Sequence, residues 1–468
     1  MLAALTPGQS AVVTRLAHAF AEAGERLYLV GGIVRDVLLE RPLPADLDFA
    51  TSATPERTRA MVAPLEPLGL YDVGERFGTI GIVFALDDDE RLLVEITTFR
   101  SEQYAGGSRH PAVTFGASIE DDLSRRDFTA NAIAVDVASG DLIDPFGGEA
   151  DIALGVLRAV DDADARFAED PLRLLRAARF IAQLGFRLDG ATHAAMVRQS
   201  PALARISQER VLAEMTKLLC GDFADYGLDS LLTTMLLTVA MPELRPLADA
   251  ALGPPGIHRE KDLWAHTKRV VAKTPARPAI RWAALLHDVA KPLTRSVDSR
   301  GEVSFHGHER VGGEVAARLL RRLKADKVLQ SRVRRLVELH GRLGSYAESW
   351  TDSAVRRVAL EAGDVLDDLL DLAAADVTSA REDRQRAAAA RVAGLRARLV
   401  RLEAEQALDE LQSPLDGNDL MALFDRPPGR WIADVKDHLR ELVIDGELAR
   451  DDTASATRIA RELVGRMG

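Results

Sequence analysis

Cysteine is nearly absent: the 468-residue chain has one, Cys220. A single thiol excludes an intramolecular disulfide and fits a reducing compartment. Aromatic residues make up only 5% of the chain. No apolar run approaches the ~18 residues that cross a bilayer. The N-terminus reads as an amphipathic helix, Leu5 to Ala23, without the layout of a signal peptide. A cytoplasmic protein with no membrane association is expected, and nothing calls for an obligate protein partner. Net positive charge is absent too: 60 Lys and Arg against 72 Asp and Glu give −12, which argues against indiscriminate polyanion binding. Internal repeats are lacking, and only the Ala-rich stretch near Ala387 approaches low complexity. What remains, 47% hydrophobic and 28% charged residues, is the composition of a globular protein. The length exceeds one core and predicts two to four domains.

Charge is unevenly spread. From Pro171 to Lys217 there are eight Arg or Lys against three Asp or Glu, a local excess on which a phosphate backbone can bind; a solvated helical face has the same composition. Strand-like and helix-like runs alternate over the first ~140 residues. Leu27–Val30 is a short apolar run ending in Gly31-Gly32. Gly78–Leu86 and Leu92–Thr97 read as buried strands around a turn at Asp87–Arg91. Ile133–Val137 and Asp141–Ile143 flank Ser139-Gly140. After Asp144 strand signals nearly vanish. Gly253-Pro254-Pro255-Gly256 is the clearest linker, because neither residue type continues a helix. Six of the ten histidines lie between His258 and His340. Arg381 to Gln406 is a long helix by propensity. The fold class is therefore an α+β head with a mixed sheet, an all-α neck and body, a second all-α domain and a helical tail. The expected bounds are 1–144, 145–252, 257–384 and 385–468.

Asp46 and Asp48 stand at i and i+2 where a strand begins, so both side chains share a face. Such a pair suits two Mg²⁺ ions, which prefer carboxylate, water and phosphate oxygens. Two ions activate a hydroxyl and stabilise departing pyrophosphate. Alone, Asp-x-Asp is also an acidic surface turn. Gly31-Gly32 leads into a helix near Ile33, whose N-terminus suits a triphosphate with Arg35 adding charge; a plain strand–helix turn reads the same. Glu95 is an acid within an apolar strand and needs a metal or a cation such as Arg100.

Gly31-Gly32-Ile33-Val34-Arg35-Asp36, Asp46-Leu47-Asp48 and the string Arg125-Arg126-Asp127-Phe128-Thr129-Ala130-Asn131-Ala132 together resemble the class II tRNA nucleotidyltransferases, the CCA-adding enzymes, whose head is shared by bacterial poly(A) polymerases. The likeness continues through Glu169-Asp170-Pro171-Leu172-Arg173 to Arg179-Phe180 and Ser207-Gln208-Glu209-Arg210. It implies Asp46 and Asp48 as metal ligands, with Glu95 as a third carboxylate. It also implies Arg125, Arg126, Asp127 and Asn131 around ribose and triphosphate. The implied reaction adds CMP and AMP from CTP and ATP to the 3′ end of tRNA, with contacts along the acceptor arm.

The helix opening at Asp170-Pro171 carries the base-reading chemistry. Asp170 and Arg173 are three apart and share a face; Arg176 lies further round and Arg179 roughly opposite. A carboxylate accepts from an exocyclic amine while a guanidinium donates to a ring nitrogen. Cytosine and adenine both offer that pair, whereas uracil and guanine present a carbonyl and leave a desolvated mismatch. The competing reading is a carboxylate at a helix N-terminus with an i+3 arginine.

In the histidine-rich segment, His287-Asp288 is embedded in an apolar helix, where buried charge calls for a partner or metal. Imidazole with carboxylate suits a transition metal such as Ni²⁺, Mn²⁺ or Co²⁺. The order His266, His287-Asp288, His308, His340, Asp376 resembles the HD phosphohydrolase superfamily. That resemblance implies His266, His287, Asp288 and Asp376 as core ligands, His308 and His340 completing a second site, and Lys291 on substrate phosphate; His306 reads as a bystander. A degenerate HD body that only binds RNA is the other reading. The tail strings Leu415–Met421 and Pro427–Ile432 resemble the tRNA-contacting end of these enzymes, with Arg430 and Ala433 departing from the usual Pro and Gly. The polar loop Ser101–Pro111 resembles the segment that helps switch from CTP to ATP, full-length here but with Gly106-Gly107 where an acid is usual. CCA addition is expected, with A-only addition and poly(A) synthesis as alternatives.

Overall fold

The computed structural model describes residues 2–44, 46–72, 78–86, 90–103, 112–115, 118–249, 262–343, 346, 349–377, 382–405 and 412–467, with backbone alone at 100–103, 112–115, 382–385, 404–405 and 466–467. The chain forms two compact units, Met1–Arg245 and Pro246–Gly468. The Gly253–Gly256 linker and the tip of the Ser101–Pro111 loop lie outside the described residues.

The first unit opens with the helix Pro7–Glu22. Thr6 caps it through Gln9 N–H while the Gln9 side chain returns the bond, a reciprocal arrangement that fixes the helix start. The strands are β1 (Leu27–Val30), β2 (Asp46–Thr51), β3 (Gly69–Asp72), β4 (Thr79–Ala85), β5 (Arg91–Thr98), β6 (Arg100–Gln103), β7 (Ala112–Phe115), β8 (Ala134–Asp136) and β9 (Leu142–Ile143). Seven form one sheet in the order β3-β4-β5-β2-β1-β8-β9. Within it β2 and β5 run parallel, and the other pairings are antiparallel. β6 and β7 pair as a separate antiparallel ribbon, so the segment read from sequence as a loop has strand stems at both ends. Polar residues hid β6, Arg-Ser-Glu-Gln, because the alternation that marks a half-buried strand is missing there. Leu47, Phe49, Leu92, Val94 and Ile96 are buried on one face, which leaves Asp46, Asp48 and Glu95 on the other by the two-residue period.

The helical half of this unit is assembled by small residues. The helix Leu172–Leu184 packs against Gln208–Leu219 and Ala224–Thr233. A Cβ on Gly221 would lie 2.3 Å from the Ala182 carbonyl oxygen, and one on Gly227 would lie 2.7 Å from Ala182 Cβ. Two-residue strands Val156–Leu157 and Arg187–Leu188 pair in parallel here, and Ser296–Val297 pairs with Val303–Ser304 in the second unit; both were too short to register as a periodic signal.

Gly148 shows how closely this unit is fitted. A Cβ there would fall 2.2 Å from the Thr129 carbonyl oxygen and 2.8 Å from Ile133 Cγ1. Gly148→Ala is expected to destabilise the unit by about 3 kcal/mol, because backbone rather than a flexible side chain must yield. A urea unfolding midpoint unchanged from wild type would contradict this.

The second unit is helical. It runs through Leu263–Lys273, Pro278–Leu286, Lys291–Thr294, His308–Arg322, Lys327–Leu339, Asp352–Ala362, Leu366–Ala375 and the long Glu382–Glu405. The tail helices Gly417–Phe424, Arg430–Ile444 and Thr453–Met467 enclose their own core around Leu420, Trp431, Val435 and Leu439.

Candidate active sites

In the head, the parallel register sets Asp48 opposite Glu95 and Asp46 opposite Leu93. Asp46, Asp48 and Glu95 thus project from neighbouring points of one sheet face. Gly31, at the end of β1, has φ +79°, and a Cβ there would lie 3.3 Å from Arg126 Nη1 and 3.7 Å from Asp48 Oδ2. Glycine is required twice over, by its backbone conformation and by what stands against it. Partial burial raises the Asp48 carboxyl to about 6, with Glu95 and then Asp46 adding to the shift and Arg126 opposing it. Three carboxylates gather at one point of a sheet face, where like charges raise Asp48, and this oxygen-only donor set fits Mg²⁺. The seven-residue helix Gly32–Leu38 begins beside this cluster.

A network of arginines faces the carboxylates. Asp122, buried on the helix Ile119–Ser124, accepts from Arg125 Nη2 at 2.6 Å and from Arg126 Nη2 at 3.2 Å. These two cations outweigh the burial that would raise Asp122 and hold it below the usual carboxylate range. Asp127 accepts from Asn131 Nδ2 at 3.1 Å and Arg176 Nε at 2.7 Å. Arg35 Nη1 donates to Asn131 Oδ1 at 2.7 Å. Arg35, Asn131, Asp127 and Arg176 therefore form one hydrogen-bonded chain, although they span 142 positions of sequence. Arg126 Nε is buried without a partner, a donor left over for an anion.

At the start of the helix Leu172–Leu184, the two residues read as a pair, Asp170 and Arg173, each bond to other partners. Asp170 accepts from Leu172 N–H at 3.0 Å and from Arg210 Nη2 at 3.0 Å. Arg173 donates to Glu169 Oε2 at 2.8 Å, the Arg166 carbonyl at 3.1 Å and the Arg125 carbonyl at 2.6 Å. Each is fixed by its own partners, so the carboxylate and the guanidinium are presented separately. Arg179 turns away: it is buried, pairs with Glu214 at 3.3 Å and lies over the Phe180 ring.

The second unit gathers the histidines. His266, His287 and Asp376 offer ligand atoms within 4.8 Å of one another, as do Asp288, His308 and His340. The Nε2 atoms of His266 and His287 are 3.2 Å apart, and those of His308 and His340 are 3.3 Å apart. Asp288 joins the sets: its Oδ2 is 3.3 Å from His287 Nε2 and its Oδ1 is 3.7 Å from His308 Nε2. Oδ1 is buried with no hydrogen-bond partner. His287, His308 and His340 each direct Nδ1 at the carbonyl three residues earlier, at 2.7 to 2.8 Å. Those bonds fix the tautomer and leave Nε2 free to ligate. Facing imidazole nitrogens and an orphaned buried oxygen fit two transition-metal ions bridged by one carboxylate. Burial alone would lower His287, yet Asp288 and Asp376 lift it to about 9. Lys291 Nζ lies 2.7 Å from Asp288 Oδ2, and His306 is exposed.

Asp122, Glu169 and Arg210 were not assigned roles from sequence. Asp122 was findable, since it stands three and four residues before Arg125 and Arg126 in a helical stretch. Arg210 lies 40 positions from Asp170 and no local spacing pairs them.

Comparisons with known proteins bear on the family and the fold. Residues 27–158 match "Poly A polymerase head domain", 185–247 match "Probable RNA and SrmB- binding site of polymerase A", and 264–381 match "HD domain". A CCA-adding enzyme of Geobacillus thermodenitrificans (strain NG80-2) is 42% identical over 264 residues, 55% of this chain and 62% of that relative. One from Streptococcus pneumoniae (strain CGSP14) is 45% identical over 212 residues, 45% of this chain and 50% of the relative. The chain thus aligns with less than two thirds of the length of these curated relatives. The crystal structure of a Bacillus stearothermophilus CCA-adding enzyme in complex with CTP aligns over 99% of this chain and 100% of that one, with 28% identity and a TM-score of 0.69. The chain therefore resembles the CCA-adding enzymes: it matches the poly(A) polymerase head and RNA-binding models in its first unit and an HD domain in its second, and its fold aligns with that of a CCA-adding enzyme along nearly its whole length.

Proposed function

We propose that this protein adds CMP and AMP, without a nucleic-acid template, to the 3′ end of tRNA, and that its HD domain is a metal-dependent phosphohydrolase. The observation that carries the first reading is the registered Asp48 and Glu95 beside Asp46, with Gly31 and Arg126 directly across from them. Asp46, Asp48 and Glu95 would hold Mg²⁺, which would supply Lewis acidity for the attacking 3′-hydroxyl and the leaving pyrophosphate. Arg126, with its unpaired Nε, and Arg125 bind the triphosphate, and Asp122 keeps both in place. Gly31-Gly32 admits the phosphates closely. Arg35, Asn131, Asp127 and Arg176 form the wall on which ribose rests. Asp170 accepts the exocyclic amine of CTP or ATP while Arg173 donates to the adjacent ring nitrogen. Arg179 supports the helix through Glu214. The basic stretch 171–217 receives the acceptor arm, and the tail contributes a further tRNA contact.

In the HD domain, His266, His287 and Asp376 would hold one ion and His308 and His340 another, with one oxygen of Asp288 directed at each set. Such a pair of Ni²⁺, Mn²⁺ or Co²⁺ ions supplies an activated water, and Lys291 stands ready for a phosphate oxygen. The four regions act as head, neck, HD domain and tail with the bounds expected from sequence. No helix among the described residues is long and apolar enough to cross a membrane, and we place the enzyme in the cytoplasm.

The test is purified chain with tRNA lacking CCA, lacking CA and lacking A, each with CTP and ATP alone and together, and with UTP and GTP as competitors. CCA should be restored on all three. Extension only of tRNA already ending in CC would replace the reading with A-addition, the alternative that the departure at Gly106-Gly107 leaves open. Asp170→Ala in the same assay should lose about tenfold or more in discrimination against UTP and GTP, the range for a mismatched buried hydrogen bond. Unchanged preference would remove Asp170 from base reading.

A further inference from the structure

Asp368 is a buried carboxylate on the helix Leu366–Ala375. It lies outside both candidate ligand sets and stands eight residues before Asp376, a member of one of them. Its Oδ1 accepts from Arg277 Nη2 at 2.7 Å and its Oδ2 from Arg332 Nη2 at 3.1 Å. Those arginines come from two other helices. Arg277 is the N-cap of Pro278–Leu286, which is capped at its other end by His287, the neighbour of Asp288. Arg332 lies on Lys327–Leu339, which is capped by His340. Asp368's own helix is capped by Asp376. One carboxylate thus ties together three helices whose C-terminal ends deliver His287, Asp288, His340 and Asp376, four of the six candidate ligands.

The spacing is matched as well. Arg332 is eight residues before His340, Asp368 eight before Asp376 and Arg277 ten before His287. At about 1.5 Å per helical residue the node lies ~12 Å from the ligands along each of the first two helices. A sliding movement of one helix against another would therefore appear undiminished at the ligand end. Two guanidinium groups on one buried carboxylate resist such sliding, because each bond is directional and breaking either leaves buried charge short of a partner. Arg277 also reaches Asp371 at 2.6 Å, and Arg332 reaches the exposed Asp364 at 2.6 Å. Arg396, from the long helix Glu382–Glu405, binds Asp371 too.

We propose that Asp368, with Arg277 and Arg332, is a positioning node that sets the register of the three ligand-bearing helices and so the geometry of the dinuclear centre. The inference rests on the proposed metal centre and goes beyond it. The bland reading is a stabilising ion pair whose loss loosens the domain without specific effect on the ligands.

The two are separated by titrating Co²⁺ into the full chain, with excess Mg²⁺ occupying the oxygen-only head site. The readout is the visible absorption of imidazole-bound Co²⁺. Asp368→Asn and Arg332→Met should each weaken Co²⁺ binding about tenfold, the lower end of the effect of groups that orient ligands. The double variant should be no worse than the weaker single one, since both break one node. Val333→Ala is the control: it trims a buried side chain beside Arg332 and should lower the melting temperature while leaving Co²⁺ affinity unchanged. Wild-type affinity in Asp368→Asn, or equal weakening in Val333→Ala, would overturn the inference and leave the metal centre standing. Failure of wild type to bind Co²⁺ through imidazole would remove the centre and this inference together.

Discussion

Asp48→Asn is expected to reduce nucleotide addition by about 10³-fold or more with RNA binding little changed. The substitution keeps the size of the side chain and removes its charge. Asp48 stands beside Asp46 and opposite Glu95, so it is central to the set that would hold Mg²⁺. A bound metal contributes several kcal/mol of transition-state charge stabilisation, and each 1.36 kcal/mol is a factor of ten in rate. Losing a central ligand therefore removes about three powers of ten or more. Single-turnover addition of labelled AMP to tRNA ending in CC measures the rate, and a filter-binding curve measures the RNA. Addition within tenfold of wild type at saturating Mg²⁺ would end the assignment. The stability of the metal-free protein gives an independent reading of the same group. The Asp48 carboxyl is raised from the ordinary range to about 6, by burial and then by Glu95 and Asp46. A raised group contributes stability that is fully present below the ordinary carboxylate range and is lost as pH rises through about 6. In EDTA, wild type should lose this contribution as pH rises from about 4 to about 6.5, and Asp48→Asn should lack that part of the dependence.

The second large effect lies in the other unit. Asp288→Ala should abolish metal-dependent phosphate release from phosphoesters, 2′,3′-cyclic nucleotides included, and leave nucleotide addition intact. One oxygen of Asp288 faces the His266–His287–Asp376 set and the other faces His308 and His340. Removing it takes a ligand from both ions at once, whereas His308→Ala takes one from the second alone. Co²⁺ stoichiometry should fall from two toward zero in Asp288→Ala and toward one in His308→Ala. A histidine ligand set with its carboxylate bridge removed is expected to lose two to three powers of ten in affinity, above the 10–100-fold of orienting groups. Retention of both ions in Asp288→Ala would refute the bridging role. Wild type silent toward phosphoesters across Ni²⁺, Mn²⁺, Co²⁺ and Mg²⁺ would make the HD domain a binding body.

Much of the carboxylate site was legible because its signal is local. Asp46 and Asp48 share a strand face by their spacing alone, and Glu95 interrupts an apolar strand where a charge needs a reason. The two short ribbons and β3 were not legible, since two to four residues carry too little periodicity to separate strand from loop. The surroundings of the pair proposed to read the base were only partly visible. The sequence put Asp170 and Arg173 on one face, but it did not show Arg173 committed to Glu169 and two carbonyls, or Asp170 held by Arg210.

By itself the sequence determined which residues can do chemistry here and roughly where the chain changes character. Carboxylates two apart, glycines after a strand, arginines at helical intervals and histidines crowded into one segment are properties of neighbours, fixed by a rise per residue and a period. Only the tertiary structure decided who stands across from whom. It set Glu95 beside Asp48 through a parallel pairing, aimed two oxygens of Asp288 at two histidine sets, and brought Arg277 and Arg332 onto Asp368. The pairs Asp48–Glu95, Asp288–His340, Arg332–Asp368 and Arg277–Asp368 join positions 36 to 91 residues apart. Burial and packing select them over the whole fold, and no local spacing encodes them.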